Sequence, residues 1–141
     1  MTRHPYSFLG DAPSGEGFLR SGGTWHEGLM DYTDGTEAGA LRAEAGLSAL
    51  GAAAGIQFRY DQKTNWQPLE SQRMLLWSAR FGKAEEHMDA LNQRHFELGT
   101  SASDRSTVLE AAKQAGLDVD AAKAFLDTNE VCRKCTIRVY T

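Results

Sequence analysis

The sequence predicts a mainly α-helical domain, a compact bundle of about five helices with an extended segment at each end. Three observations lead there. Beyond residue 36, apolar residues recur at helical spacing in stretch after stretch. Gly55, Gly82, Gly99 and Gly116 stand where those stretches stop, the place a left-handed helix end favours glycine. The first 35 residues are different: Gly10, Gly15, Gly17, Gly22, Gly23, Gly28 and Gly35, with Pro5 and Pro13, forbid a long helix. The expected division is an extended Gly-rich segment over 1–35, a helical domain over 36–130, and an extended tail carrying a Cys-x-x-Cys pair over 131–141.

Taken in order, residues 5–9 read as a short strand with Tyr6 and Phe8 on one side. A helix over 37–54 places Leu41, Ala45, Leu47, Leu50 and Ala54 on roughly one face. Residues 56–60 then alternate as a strand would, and 62–67 form a polar loop. Pro68 suits a first helical turn, where its missing N–H costs little. The helix that follows, to about residue 81, carries Met74, Leu75, Leu76, Trp77, Ala79 and Phe81 and is expected to be the central buried one. Over 84–98, Ala84, Met88, Leu91, His95 and Leu98 keep a 4-3-4-3 spacing. Ser103 is placed to cap a helix over 104–115, with Val108, Leu109 and Ala112 inward. Asp118 starts the last helix, whose inner face is Val119, Ala122, Phe125 and Leu126. Ile137 and Val139 alternate with polar residues in a terminal strand or extended tail.

Composition limits the function. In 141 residues, 41% are hydrophobic and 24% charged, an ordinary globular balance. A net charge of −4 argues against a nucleic-acid surface, since Arg133, Lys134 and Arg138 make only a small basic spot. The longest apolar stretch, 49–56, falls far short of the roughly 20 residues that span a bilayer. No targeting segment is visible, so a soluble intracellular setting (cytoplasm or organelle interior) is expected, without membrane insertion.

Cys132 and Cys135 are the chain's two cysteines and its candidate redox pair. Two intervening residues let the sulfurs meet in a small ring, and Arg133 and Lys134 favour a thiolate. The pair, however, follows a helix rather than opening one. It reads as a structural or incidental pair, a reactive dithiol, or half of a metal site that His87 and His95 could complete. His95 lies on an apolar face, as a hydrogen-bonded core histidine does, whereas His87 sits among Glu85, Glu86 and Asp89 and is expected to be solvated. His26–Glu27 has no evident second half for catalysis. Neither Gly15–Gly17 nor Ser21–Gly23 has the strand–loop–helix setting of a phosphate loop. No cofactor or metal is expected. Trp25, Trp66 and Trp77 read as packing groups, with Trp66 also able to serve a contact surface.

The run 47–61, Leu-Ser-Ala-Leu-Gly-Ala-Ala-Ala-Gly-Ile-Gln-Phe-Arg-Tyr-Asp, resembles a segment of the DsbA-like thioredoxin superfamily. So do Asn65, 71–77, 96–99, 108–112 and 115–118, in order and spacing, together with His4–Leu9 and Ala12–Pro13. The resemblance covers residues 4–130. It points to the branch of FrnE-type oxidoreductases and 2-hydroxychromene-2-carboxylate isomerases, in which a helical domain is inserted into a thioredoxin core. In the isomerase branch Asn65 matches a polar residue near the bound thiol cofactor. The resemblance implies that this chain carries the second strand and the helical insert, without the first strand, the active-site motif and the cis-proline loop. The expectation that follows is a non-catalytic domain acting as a structural or interaction subunit among other protein subunits, at most peripheral to a membrane. Its candidate contacts are Tyr6, Phe8, Trp25, Trp66 and Tyr140. The rivals are a thiol–disulfide oxidoreductase or glutathione-dependent isomerase working through Cys132 and Cys135, and a truncated or spliced product.

Overall fold

The structure, a computed structural model, describes residues 23–64 and 69–130. Among them are six helices and one small antiparallel ribbon, so the chain is mainly α as expected. The ribbon pairs β1 (Gly23–Thr24) with β2 (Lys63–Thr64), Gly23 opposite Thr64.

Directly after β1 comes a helix that the glycine count concealed, α1 (Trp25–Tyr32). Its start is a capping box: the Thr24 hydroxyl accepts from the Glu27 amide, and the Glu27 carboxylate accepts from the Thr24 amide at 2.7 Å. The Gly-rich segment is therefore not extended throughout. Gly35, at φ 73°, turns the chain into α2 (Glu37–Ala53), capped by the Thr36 hydroxyl.

Helix α2 forms as its sequence suggests but faces the other way. Leu41 is 52% and Leu50 71% exposed, and Leu47 is exposed as well. The buried positions are Gly39, Ala40 and Gly51. The reason is close approach: a Cβ on Gly51 would lie 2.8 Å from the Phe58 ring and 2.9 Å from the Ile56 carbonyl. Small residues let the chain 56–60 lie against the helix, and Leu41, Leu47 and Leu50 are left outside. That returning chain is irregular rather than a strand, and the pairing falls at Lys63–Thr64, inside the expected loop.

The remaining helices are α3 (Leu69–Ala79), α4 (Ala84–Phe96), α5 (Arg105–Gln114) and α6 (Val119–Leu126). They pack on one another and hold the hydrophobic core, from Met74 and Trp77 through Leu91 and Val108 to Phe125 and Leu126. Helix α3 is central, as expected, although Ala79 and Phe81 lie outside. Helix α4 buries Leu91 and His95 as expected, adds His87 and Ala90, and leaves Ala84 and Met88 half-buried and Leu98 exposed. The cap of α5 is Asp104 rather than Ser103, and Asp118 caps α6 by accepting from the Ala121 amide.

Two charged side chains tie the bundle. Arg73, buried on α3, donates to the carbonyls of Phe125, Leu126, Thr128 and Glu130 at the end of α6. Arg105 of α5 grips Glu70 of α3 through Nε and Nη2 and meets Asp127 at 2.5 Å. Among the described residues no helix is long and apolar enough to cross a membrane.

Candidate functional site

The molecule has two layers, α1 with α2 and α3 with α4, α5 and α6, and they meet at the C-terminal end of α4. There the Trp25 ring lies 6.0 Å from His95 and 6.1 Å from Phe96. Phe58 packs edge-on against Phe96 at 5.7 Å, and the Arg59 amide donates to the Phe96 carbonyl at 2.7 Å. This joint gathers most of the polar chemistry that the sequence scattered.

The capping box places Trp25 and His26 side by side in the first turn of α1, and successive helical residues point some 100° apart. Trp25 reaches α4, where its indole N–H donates to His95 Nε2 at 2.7 Å. The Ala102 amide also points at the ring, toward Nδ1 at 3.1 Å, but a neutral imidazole has one bare nitrogen, and the shorter indole contact assigns it to Nε2; the ring proton then sits on Nδ1, 3.2 Å from the Thr100 carbonyl. Burial holds the His95 pKa below its ordinary value, against a smaller upward pull from Thr100. This is the hydrogen-bonded core histidine that the apolar face of α4 implied.

His26 reaches α2 instead. Its Nε2 lies 2.9 Å from the Glu37 carboxylate and its Nδ1 2.6 Å from that of Glu44. Hydrogen bonds to Glu37 and Glu44 raise its pKa. The Tyr60 hydroxyl joins the cluster, donating to the Glu44 carbonyl at 3.2 Å and lying 3.1 Å from the Ser48 hydroxyl. Glu37 and Glu44 are the second half that the sequence did not disclose for His26. With both ring nitrogens facing carboxylates, however, neither is open to a substrate, so the imidazole is an electrostatic clamp rather than a general base.

His87 is a correction. Instead of lying among its acidic neighbours in water, it is wholly buried on the inner face of α4. Neither ring nitrogen has a hydrogen-bond partner among the described residues. Burial pushes its pKa down, and the nearby Ala111 backbone pulls the other way by less. Among the described residues no group of three or more His, Cys, Asp or Glu could hold a metal, and a site that includes Cys132 and Cys135 lies outside them.

Beside the joint lies an open cavity of about 450 Å³, with Ile56, Phe58 and Phe96 as its apolar lining and Asp89, Asn92 and Glu97 at its polar rim. Of the expected contact residues, Trp25 is half-buried in the joint. Tyr6, Phe8, Trp66 and Tyr140 lie outside the described residues, as do Cys132, Cys135, Asn65 and Pro68.

This architecture has relatives. The family model of the DSBA-like thioredoxin domain matches residues 36–136, well over half of the chain, and the chain belongs to that family. Among solved structures, a probable DsbA oxidoreductase from Streptomyces coelicolor is similar, with a TM-score of 0.69 and 21% sequence identity. The likeness covers 83% of this chain and 51% of that one, so the chain spans about half that relative's length. At that identity the likeness shows the fold alone. No curated protein matches.

Proposed function

We propose that this chain is a non-catalytic helical unit of the DsbA-like fold, and that it docks a thioredoxin-type domain through the outer face of α2. The observation that carries this reading is the composition of that face. Ala38, Leu41, Ala45, Ala49 and Ala52 are all exposed along it, and its charged member, Arg42, is paired with Asp34 at 2.9 Å. Such an apolar strip on a surface helix marks a contact surface. Family membership, and the half of the related oxidoreductase that this chain does not span, support a thioredoxin-type occupant.

Sizing the native protein tests it. The wild type should elute in a complex whose other member carries a thioredoxin-type domain, identified by mass spectrometry. Leu41→Glu and Ala45→Glu change exposed positions on this strip, so helicity should persist while the complex is lost. Elution as a free monomer, or a complex indifferent to both substitutions, would contradict the proposal.

One observation favours a second reading. The family match runs to residue 136 and so includes Cys132 and Cys135, the residues a thiol–disulfide oxidoreductase would use.

A further inference from the structure

The two neighbours at the start of α1 hold it to opposite sides of the joint, and they answer a proton in opposite ways. Trp25 is bound to α4 by a hydrogen bond that exists only while His95 Nε2 is bare. A proton added there turns the acceptor into a donor and leaves two N–H groups facing each other at 2.7 Å. His26 is bound to α2 by two carboxylates, and a proton there supplies the second donor and the positive charge that both contacts want.

We propose that the start of α1 is a proton-driven switch: acidification breaks its Trp25–His95 bond to α4 and tightens its His26 clamp on α2, so that the Trp25 ring is released from α4 while the Arg59 amide–Phe96 carbonyl bond and the Phe58–Phe96 contact keep the joint together.

The surroundings leave the two histidines as the groups that titrate near neutrality. Around His95, Arg59 is engaged with Asp61 at 3.0 Å and Arg94 lies 3.9 Å from Glu110; His95 itself meets the backbone of Thr100 and Ala102. Around His26 stand Glu37 and Glu44 of α2, Glu27 of its own helix, Lys63 of β2, which lowers the Glu27 pKa, and the Tyr60 hydroxyl. The directions agree with the geometry. Burial delays protonation of His95, and the carboxylates advance that of His26, so the clamp on α2 closes before the bond to α4 opens as pH falls. Release would uncover Phe96, which Trp25 covers and which also lines the cavity with Ile56 and Phe58. Acid would thereby extend that apolar surface.

The test is a pH titration of the full chain from 8 to 5, following indole N–H and histidine ring resonances by NMR, with Trp25→Phe to assign the Trp25 indole. The Trp25 indole should move with the same midpoint as the His95 ring, below pH 6.5, while the His26 ring titrates above 6.5. One unit below the His95 midpoint, about nine molecules in ten should have lost the bond. In His95→Gln, whose side-chain oxygen accepts at any pH, the Trp25 resonance should stay in place. The Trp77 indole, in the bundle core, reports global unfolding. A Trp25 resonance that does not move, that still titrates in His95→Gln, or that moves together with Trp77 would overturn the proposal. If His95→Gln does not fold, the coincidence of the His95 and Trp25 midpoints in the wild type decides alone.

Discussion

His87 shows how a single residue can defeat a reading of charge pattern. Its neighbours in sequence, Glu85, Glu86 and Asp89, point to solvent, yet one position on a helix turns the side chain some 100° away from the residue before it, and His87 falls inside. A buried imidazole without a hydrogen bond costs about 1–3 kcal/mol. His87→Met keeps the volume and removes the polar atoms, so it should raise stability at pH 7 by about that amount in urea unfolding. A further consequence is the pH dependence. The folded-state pKa of His87 is depressed, so its contribution is intact above the unfolded value of 6.5. As pH falls below 6.5 the unfolded chain gains a proton that the folded one refuses, which costs up to about 1.4 kcal/mol per unit. The variant should lose stability less steeply between pH 6.5 and 5. A variant less stable than wild type at pH 7 would mean that His87 has a polar partner. His26 works in the opposite sense: its raised pKa makes its contribution complete below 6.5 and lost as pH rises through the folded value.

At the scale of elements, Arg73 decides where α6 ends and how it sits on α3. The last carbonyls of a helix have no partner within it, and those of Phe125 and Leu126 accept from one buried guanidinium, which also lies 4.9 Å over the Phe125 ring. Arg73→Met retains much of the apolar stem and strands these carbonyls, so stability should fall by about 3 kcal/mol, seen as a lower urea midpoint. A loss below about 0.5 kcal/mol would show that water satisfies them equally well. Much at this scale was legible in the sequence. The glycine stops and the apolar periodicity located α2, α3, α4, α5 and α6 to within a few residues, because helix ends are set by local backbone chemistry. Helix α1 was announced only by Thr24 and Glu27, three residues apart, a signal outweighed by the surrounding glycines. Which way α2 faces was not legible. The Phe58 ring claims the glycine side and leaves Leu41, Leu47 and Leu50 outside, and that is a fact of tertiary packing.

For the whole molecule, the joint explains why the candidate site was hidden. Trp25 and His95 stand 70 positions apart, and His26 meets Glu37 and Glu44 only because a short turn folds α2 back on α1. No spacing rule connects such residues. Family resemblance could be read from ordered local runs, and membership of the DSBA-like thioredoxin domain family bears it out. The central claim, that this chain serves as the helical cover of such a fold rather than as an oxidant in its own right, is tested most directly by dithiol-dependent reduction of insulin. Wild type and Cys132→Ser should show equal rates at background level. A wild-type rate clearly above background that Cys132→Ser abolishes would contradict it.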